Sequence, residues 1–314
     1  MSRVTRTVEV RVPATSANLG PGFDTLGLAL SVYDELSVSA LADDGLEITV
    51  EGTGAAEIPT DESNLIARTI RFAYESVGLV APGLRIEARN EIPHGRGLGS
   101  SGSAVVAGLL AAKGLLEGRV EFTETDLLRL ATELEGHPDN VAPALFGGLT
   151  IAWTEQERPK HKKLLVHRGV APVVFVPDRT MSTSTARSVL DPAVSREDAV
   201  FNVSRSALLI AALTQSPDLL MSATEDRLHQ GRRAAAMPET DALVRVLREA
   251  GFAAVVSGAG PSVLVLADGP GRRLEAAAAA EEHTGDSWQA LMLAVDFLGG
   301  TVKQSAEGAS AHDF

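Results

Sequence analysis

An α+β fold in two domains is what this chain of 314 residues predicts. Strand-like and helix-like segments are mixed along the whole length, with antiparallel character and no regular succession of parallel strand-helix units. A charged stretch poor in apolar residues, Thr154 to Lys163 with Pro159 inside it, interrupts the pattern near the middle. These observations place one domain at 1–155, a second at 164–302, and a polar disordered tail at 303–314.

Val8 to Pro13 and Leu46 to Val50 read as strands. Asn64 to Val77 reads as an amphipathic helix ended by Gly78, and Leu84 to Ala88 as a strand leading into a glycine-serine loop. The loop runs directly into a small apolar helix, Ala104 to Lys113. Thr123 opens a further helix with Asp126 at the reciprocal capping position. It carries Leu127, Leu128, Leu130, Ala131 and Leu134, stops near Gly136, and is followed by a loop. Phe146 to Trp153 reads as a strand. In the second half the expected elements are strands at Val173 to Val176, Ala253 to Ser257, Ser262 to Leu266 and Ala290 to Val295. Helices are expected near Asn202 to Thr214, Asp241 to Ala250 and Arg272 to Glu282.

Composition narrows the chemistry. The chain has no cysteine, which excludes disulfides, thiolate metal sites and cysteine nucleophiles. A net charge of -13 disfavours nonspecific binding to nucleic acid or to an anionic membrane. The first ten residues alternate like a strand and lack the apolar core of a signal peptide. No apolar run is long enough to cross a bilayer, so the expected address is the cytoplasm.

Ile92-Pro93-His94-Gly95-Arg96-Gly97-Leu98-Gly99-Ser100-Ser101-Gly102-Ser103 is the most informative segment. Glycines let backbone approach an anion, and the first turn of the following helix offers unpaired N–H groups and the positive end of its dipole. The hydroxyls of Ser100 and Ser101 add donors to a phosphate and oxygen ligands for Mg²⁺. A nucleotide triphosphate such as ATP suits it. No Gly-x-x-x-x-Gly-Lys-Ser/Thr is present, and Lys113 lies about three helical turns beyond the loop, which argues against a P-loop. Gly97 to Gly102 matches the dinucleotide fingerprint by spacing, with Glu121 near the distance of a ribose-binding acid. However, Pro93, His94 and Arg96 separate it from its strand. His94 is either a phosphate neighbour or an exposed histidine.

Pro13-Ala-Thr-Ser-Ala-Asn18-Leu-Gly-Pro-Gly-Phe-Asp24 forms a rigid polar corner, in which a carboxylate and an amide oxygen suit an ammonium. An Asx-type turn is the plain alternative. Glu133, Glu135, His137, Asp139 and Asn140 gather at a helix end and just beyond it. One glutamate can complete the shell of a Mg²⁺ begun by Ser101. The two project to different faces, so one alone is expected to do so, and Glu133 is preferred. A solvated helix end is the alternative. Thr183-Ser-Thr-Ala-Arg187 and His229-Gln-Gly-Arg232-Arg233 place separated arginines in an acidic chain. Paired guanidinia suit a carboxylate, and surface arginines are the alternative. Val255-Val-Ser-Gly258-Ala-Gly260-Pro-Ser262 reads as a strand, a tight glycine turn and a second strand.

Pro93 to Ser101 resembles the Pro-x-x-x-Gly-Leu-Gly-Ser-Ser loop of the galactokinase, homoserine kinase, mevalonate kinase and phosphomevalonate kinase (GHMP kinase) superfamily. The Pro13 to Asp24 segment is similar over its whole length to the first signature of homoserine kinases. His137-Pro-Asp139-Asn140-Val-Ala-Pro143 resembles the homoserine kinase segment more than that of mevalonate kinase, and Val255 to Leu264 resembles the third superfamily signature. The resemblance implies an N-terminal domain of the ribosomal S5 domain 2 type with a left-handed crossover and a ferredoxin-like C-terminal domain. It further implies phosphorylation of L-homoserine by ATP with Mg²⁺ on the route to threonine, and a homodimer.

By the same resemblance Gly95 to Ser101 with its neighbours Pro93, His94 and Gly102 holds ATP, and Asn140 orients the hydroxyl beside His137. Asp139 is left ambiguous as a base, since homoserine kinases are thought to need no strong one. Asn18 and Asp24 hold the ammonium, and Arg187 and Arg233 hold the carboxylate. Arg232 stands where the family usually has tyrosine, which weakens the assignment of Arg233. A mevalonate kinase-like enzyme, a catalytically silent nucleotide-binding relative and a dinucleotide dehydrogenase are the competing readings.

Overall fold

The computed structural model describes residues 3–305. Its first half is a sheet covered on one face by helices. The chain order is β1 (Val4–Ala17), β2 (Leu26–Leu41), β3 (Leu46–Gly52), α1 (Leu65–Glu75), β4 (Gly83–Asn90), α2 (Ser100–Leu115), α3 (Glu124–Glu135), α4 (Pro138–Phe146), β5 (Leu149–Glu155) and β6 (Arg158–Leu164). The second half holds β7 (Val170–Pro177), α5 (Thr183–Ser188), α6 (Arg196–Thr214), α7 (Leu220–Ala223), α8 (Gln230–Arg233), α9 (Pro238–Glu249), β8 (Ala254–Val256), β9 (Val263–Asp268), α10 (Pro270–Thr284), β10 (Trp288–Met292) and β11 (Thr301–Gln304).

Seven strands form the first sheet in the order β11-β1-β2-β4-β3, with β5 pairing both β2 and β6. All its pairs are antiparallel except β3 with β4, whose parallel register requires the crossover through α1. The second sheet, β10-β7-β9-β8, is wholly antiparallel. Alternate residues of β1, Val8, Val10 and Val12, pack beneath α1 to α4 in one core. A second core, with Leu28 and Leu30 of β2 against Val174, Leu264 and Leu209, joins the two halves, and a third lies under α9 and α10.

Five sequence expectations are corrected. The longest strand, β2, was not among those expected, because Leu26 to Leu30 is buried at every position and so shows no period of two. The loop expected after Gly136 is helix α4, which begins with Pro138 at its first turn and takes in Phe146, the residue expected to open a strand. The charged stretch at the expected domain boundary is β6, an edge strand paired with β5, on which Lys162 is exposed and Lys160 and Lys163 are half-buried. The strand expected at Ala290 to Val295 ends at Met292. Val295 bridges back to Leu30 and returns the chain to the first sheet. There β11 pairs with β1, so Lys303 and Gln304 are strand and not tail; residues 306–314 lie outside those described.

Candidate active site

Alternating left-handed glycines shape the glycine-serine loop: Gly95, Gly97 and Gly99 have φ of 62°, 75° and 71°. At Gly99 a Cβ would collide with Thr15 Oγ1, and at Gly97 with the Ser257 carbonyl, so both positions need glycine for close approach as well as for φ. Gly99 also precedes α2, which has no side-chain N-cap, so no capping side chain takes up the N–H groups of its first turn. Behind the loop, Asp34 Oδ1 accepts the N–H groups of Glu91 and Ile92 at 2.9 Å each. Burial pushes the Asp34 carboxyl up to about 6, against the lowering effect of those two N–H groups.

The named loop residues divide into backbone and scaffold. Pro93 is buried and Leu98 lies fully in the core that joins the halves. Arg96 donates to the carbonyls of Pro177, His94 and Asp178, which fastens the loop to the end of β7 and commits its guanidinium. His94 is half-buried, bonds Asn90 at 3.2 Å, and is held below its ordinary pKa by burial. The hydroxyl that faces a partner across the loop is Ser101, whose Oγ donates to Glu135 Oε2 at 2.9 Å. Burial raises the Glu135 carboxyl above its ordinary value, partly offset by Ser101. Glu133, the preferred metal ligand at the sequence level, lies on the opposite face of α3. It is exposed and pairs with Arg129 at 3.4 Å. Leu128, Ala131 and Glu135 share the inward stripe of that helix, and Glu133 does not.

From the first turn of α4 come Asp139 and Asn140. Gly27 of β2 allows this approach, since a Cβ there would strike the Asp139 carbonyl. Asp139 is 2 % exposed, and its carboxylate sits 2.5 Å from His137 Nδ1, a contact that raises the histidine pKa. Asn140 Oδ1 accepts from Thr15 Oγ1 at 2.9 Å, which fixes the amide and turns its Nδ2 away from Thr15.

A third group of charges meets at the far wall. Arg187 on α5 binds Asp24 through both nitrogens, Nη2 at 2.6 Å and Nη1 at 3.1 Å, and its pKa is raised by that contact. Asn18 is buried. Its Oδ1 accepts the Asp24 N–H and its Nδ2 donates to the Gly258 carbonyl, so the amide ties the two ends of the corner together over six residues, a longer span than that of an Asx-type turn. Arg233 is 2 % exposed and donates to the carbonyls of Ala186 and Gly258. Arg232 pairs instead with Asp191. All these walls enclose one cavity of about 200 Å³, lined by the loop glycines, Ser100, Ser101, Glu135, His137, Asp139, Asn140, Asn18, Asp24, Arg187 and Arg233. Larger hollows of about 550 and 730 Å³ lie elsewhere, and neither touches the glycine-serine loop. The site is the smaller one, because there the anion-binding backbone and the paired charges converge.

Sequence reasoning missed Thr15, Ser257 and Asp34. Thr15 and Ser257 lay inside quoted motifs, and Ser257 Oγ donates to the Gly97 carbonyl at 2.6 Å, which sets the third signature against the loop. Asp34 had no local signal, because it sits on the unrecognised strand β2.

The model for the GHMP kinase N-terminal domain matches residues 64–148, and that for the C-terminal domain matches residues 207–285. A curated homoserine kinase of Leifsonia xyli is 62% identical over 304 residues, covering 97% of this chain and 94% of its own. That of Clavibacter michiganensis is 63% identical over 305 residues, with 97% and 96% covered. Among solved structures, a homoserine kinase from Cytophaga hutchinsonii superposes with a TM-score of 0.84 at 27% identity, covering 96% of this chain and 99% of that one. A mevalonate kinase of L. major shares the fold at a TM-score of 0.69 and 16% identity, covering 95% and 99%.

Proposed function

The chain belongs to the GHMP kinases, and from that premise we propose that it transfers the γ-phosphoryl group of ATP to the side-chain hydroxyl of L-homoserine. The product is O-phospho-L-homoserine, an intermediate of threonine biosynthesis. One observation carries the choice of acceptor: Asp24 and Arg187 form a bidentate pair on the wall of the cavity that holds the glycine-serine loop. An amino acid zwitterion is complementary to that pair. Its ammonium replaces Arg187 at Asp24, and its carboxylate replaces Asp24 at Arg187, with Arg233 alongside.

The residues then take the following parts. Backbone N–H groups from Gly95 to Gly102 and the start of α2 hold the triphosphate, as oriented dipoles that need no reorganisation. Ser101 Oγ and Glu135 Oε2, 2.9 Å apart, are two hard oxygens beside the phosphate loop, a donor set that fits Mg²⁺. Among the described residues no cluster of three carboxylates or histidines offers an all-protein cage, in keeping with a cation that takes its other ligands from phosphate and water. Bound there, Mg²⁺ would neutralise charge on the phosphates. Asn140 Nδ2 donates to the substrate hydroxyl oxygen and holds it in line. Asp139 is engaged by His137, so the pair orients this wall, and the reaction relies on alignment in place of a strong base.

A homodimer and a cytoplasmic address complete the proposal, supported by the sequence resemblance. Among the described residues no helix is long and apolar enough to cross a membrane. The deciding measurement is coupled ADP release with L-homoserine and with mevalonate. Turnover dependent on homoserine is expected. Turnover on mevalonate alone, which has no ammonium for Asp24, moves the chain to another branch of the family, and none on any hydroxylated acid favours a silent relative.

A further inference from the structure

Of the two arginines on the substrate wall, Arg233 has no carboxylate hydrogen-bonded to it among the described residues. Its Nε donates to Ala186 at 3.1 Å, and its Nη1 donates both to Gly258 and to Nδ1 of His229, each at 3.1 Å. Among the described residues nothing accepts a hydrogen bond from Nη2, and Arg233 lines the cavity. His229 is 0 % exposed and stacks on Phe23 with centroids 4.9 Å apart. Its Nε2 stands 2.8 Å from the Gly20 carbonyl. A guanidinium only donates and a carbonyl only accepts. The ring is therefore neutral with its proton on Nε2, and Nδ1 offers a lone pair to Arg233. Asp226 caps the segment by accepting the N–H groups of Leu228, His229 and Gln230, which fixes the backbone that carries the histidine.

We propose that His229 is a positioning residue for carboxylate recognition: by accepting from Nη1 it sets the plane of the Arg233 guanidinium, so that Nη2 alone is presented to the substrate. The inference rests on the reading of Arg233 as a carboxylate ligand. Without the Nδ1 acceptor only the bonds to the Ala186 and Gly258 carbonyls hold the guanidinium, and Nη2 is aimed less closely.

Two substitutions separate the two ends of the ring. His229→Asn keeps an acceptor where Nδ1 stands and loses the bond to Gly20; His229→Gln keeps a donor towards Gly20 and loses the acceptor. With the full chain, His229→Gln should raise the KM for L-homoserine by about tenfold, while His229→Asn stays within about threefold and the KM for ATP is unchanged in both. Turnover of 3-aminopropan-1-ol, which is homoserine without its carboxylate, should be the same in wild type and His229→Gln. Equal KM values in the two variants, or a parallel loss with 3-aminopropan-1-ol, overturn the proposal. Arg233→Ala tests the underlying reading on its own: an unchanged homoserine KM there removes Arg233 from the site, whereas a raised KM there with a normal one in His229→Gln defeats only the role of His229. Nitrogen-15 NMR of the unaltered protein gives a check independent of how the variants fold. The proposal requires a neutral Nε2–H ring at the assay pH, and a ring protonated on Nδ1 ends it.

Discussion

Arg187 and Arg233 meet the same cavity from opposite physical situations. Arg187 is about two-fifths exposed, sits on the short helix α5, and is bonded to a carboxylate that is itself partly open to water, Asp24. Arg233 is sealed at 2 % exposure and held by two carbonyls and a neutral ring. A solvated ion pair costs little to exchange for a zwitterion of the same charge pattern. A buried cation satisfied only by dipoles keeps its charge in reserve for an incoming anion, and its surroundings cannot spare it. One arginine is thus an exchangeable half of a pair, and the other is a fixed fitting of the wall.

Substitutions should separate the two. Arg233→Ala takes its side-chain donor from the Ala186 carbonyl and one of two side-chain donors from the Gly258 carbonyl, which keeps Asn18, and it empties a buried site, so we expect a loss of roughly 2–4 kcal/mol in both stability and homoserine binding. That corresponds to a KM raised by about 30-fold to 1,000-fold and a clear fall in melting temperature; a variant that binds homoserine normally breaks the contrast.

A buried carboxylate gives the comparison its pH test. Asp34, like Arg233, is a buried group held by backbone, and burial raises its folded pKa to about 6, above the ordinary aspartate value of 3.8. The folded chain therefore holds the proton more tightly than the unfolded chain, and this group's contribution to stability grows as pH falls from 7 through 6 towards 4. The gain is up to about 2–3 kcal/mol, and Asp34→Asn should abolish it. Chemical denaturation of both proteins at pH 7, 6, 5 and 4 measures the difference; parallel profiles refute it.

At the open end, Arg187→Ala should raise the homoserine KM by about tenfold while shifting stability by less than about 1 kcal/mol, because its pair with Asp24 is partly solvated. Added salt should weaken homoserine binding more in Arg233→Ala, which depends on that open pair, than in Arg187→Ala. The smallest effect is expected at Glu133. Alanine there should leave turnover and its Mg²⁺ dependence within about twofold of wild type, whereas alanine at Glu135 lowers turnover and raises the Mg²⁺ requirement.

The glycine-serine loop was readable because its information is local: glycines needed for positive φ, serines, and a helix start within ten residues. The α3 capping box at Thr123 and Asp126 was readable for the same reason. Glu135 was readable in part. Its spacing from Leu128 and Ala131 puts it on the buried stripe of α3, a signal that was present though outweighed. Strand β2, helix α4 and the pairing of β11 with β1 were not readable, since each is decided by what covers it. Burial on both faces erases the alternation of Leu26 to Leu30, and Thr301 to Gln304 becomes strand only because β1 offers it an edge.

By itself the sequence determined the family, the anion-binding loop and the chemical types of residue around it, because backbone conformation and hydrogen-bonding capacity are properties of short segments. Only the tertiary structure decided which of two glutamates meets Ser101, that Asp24 and Arg187 find each other across 163 residues, and that His229 stands behind Arg233. Those choices depend on how helices α3, α5 and α8 dock, and docking is fixed by the summed packing of distant apolar surfaces, which no short stretch of chain contains.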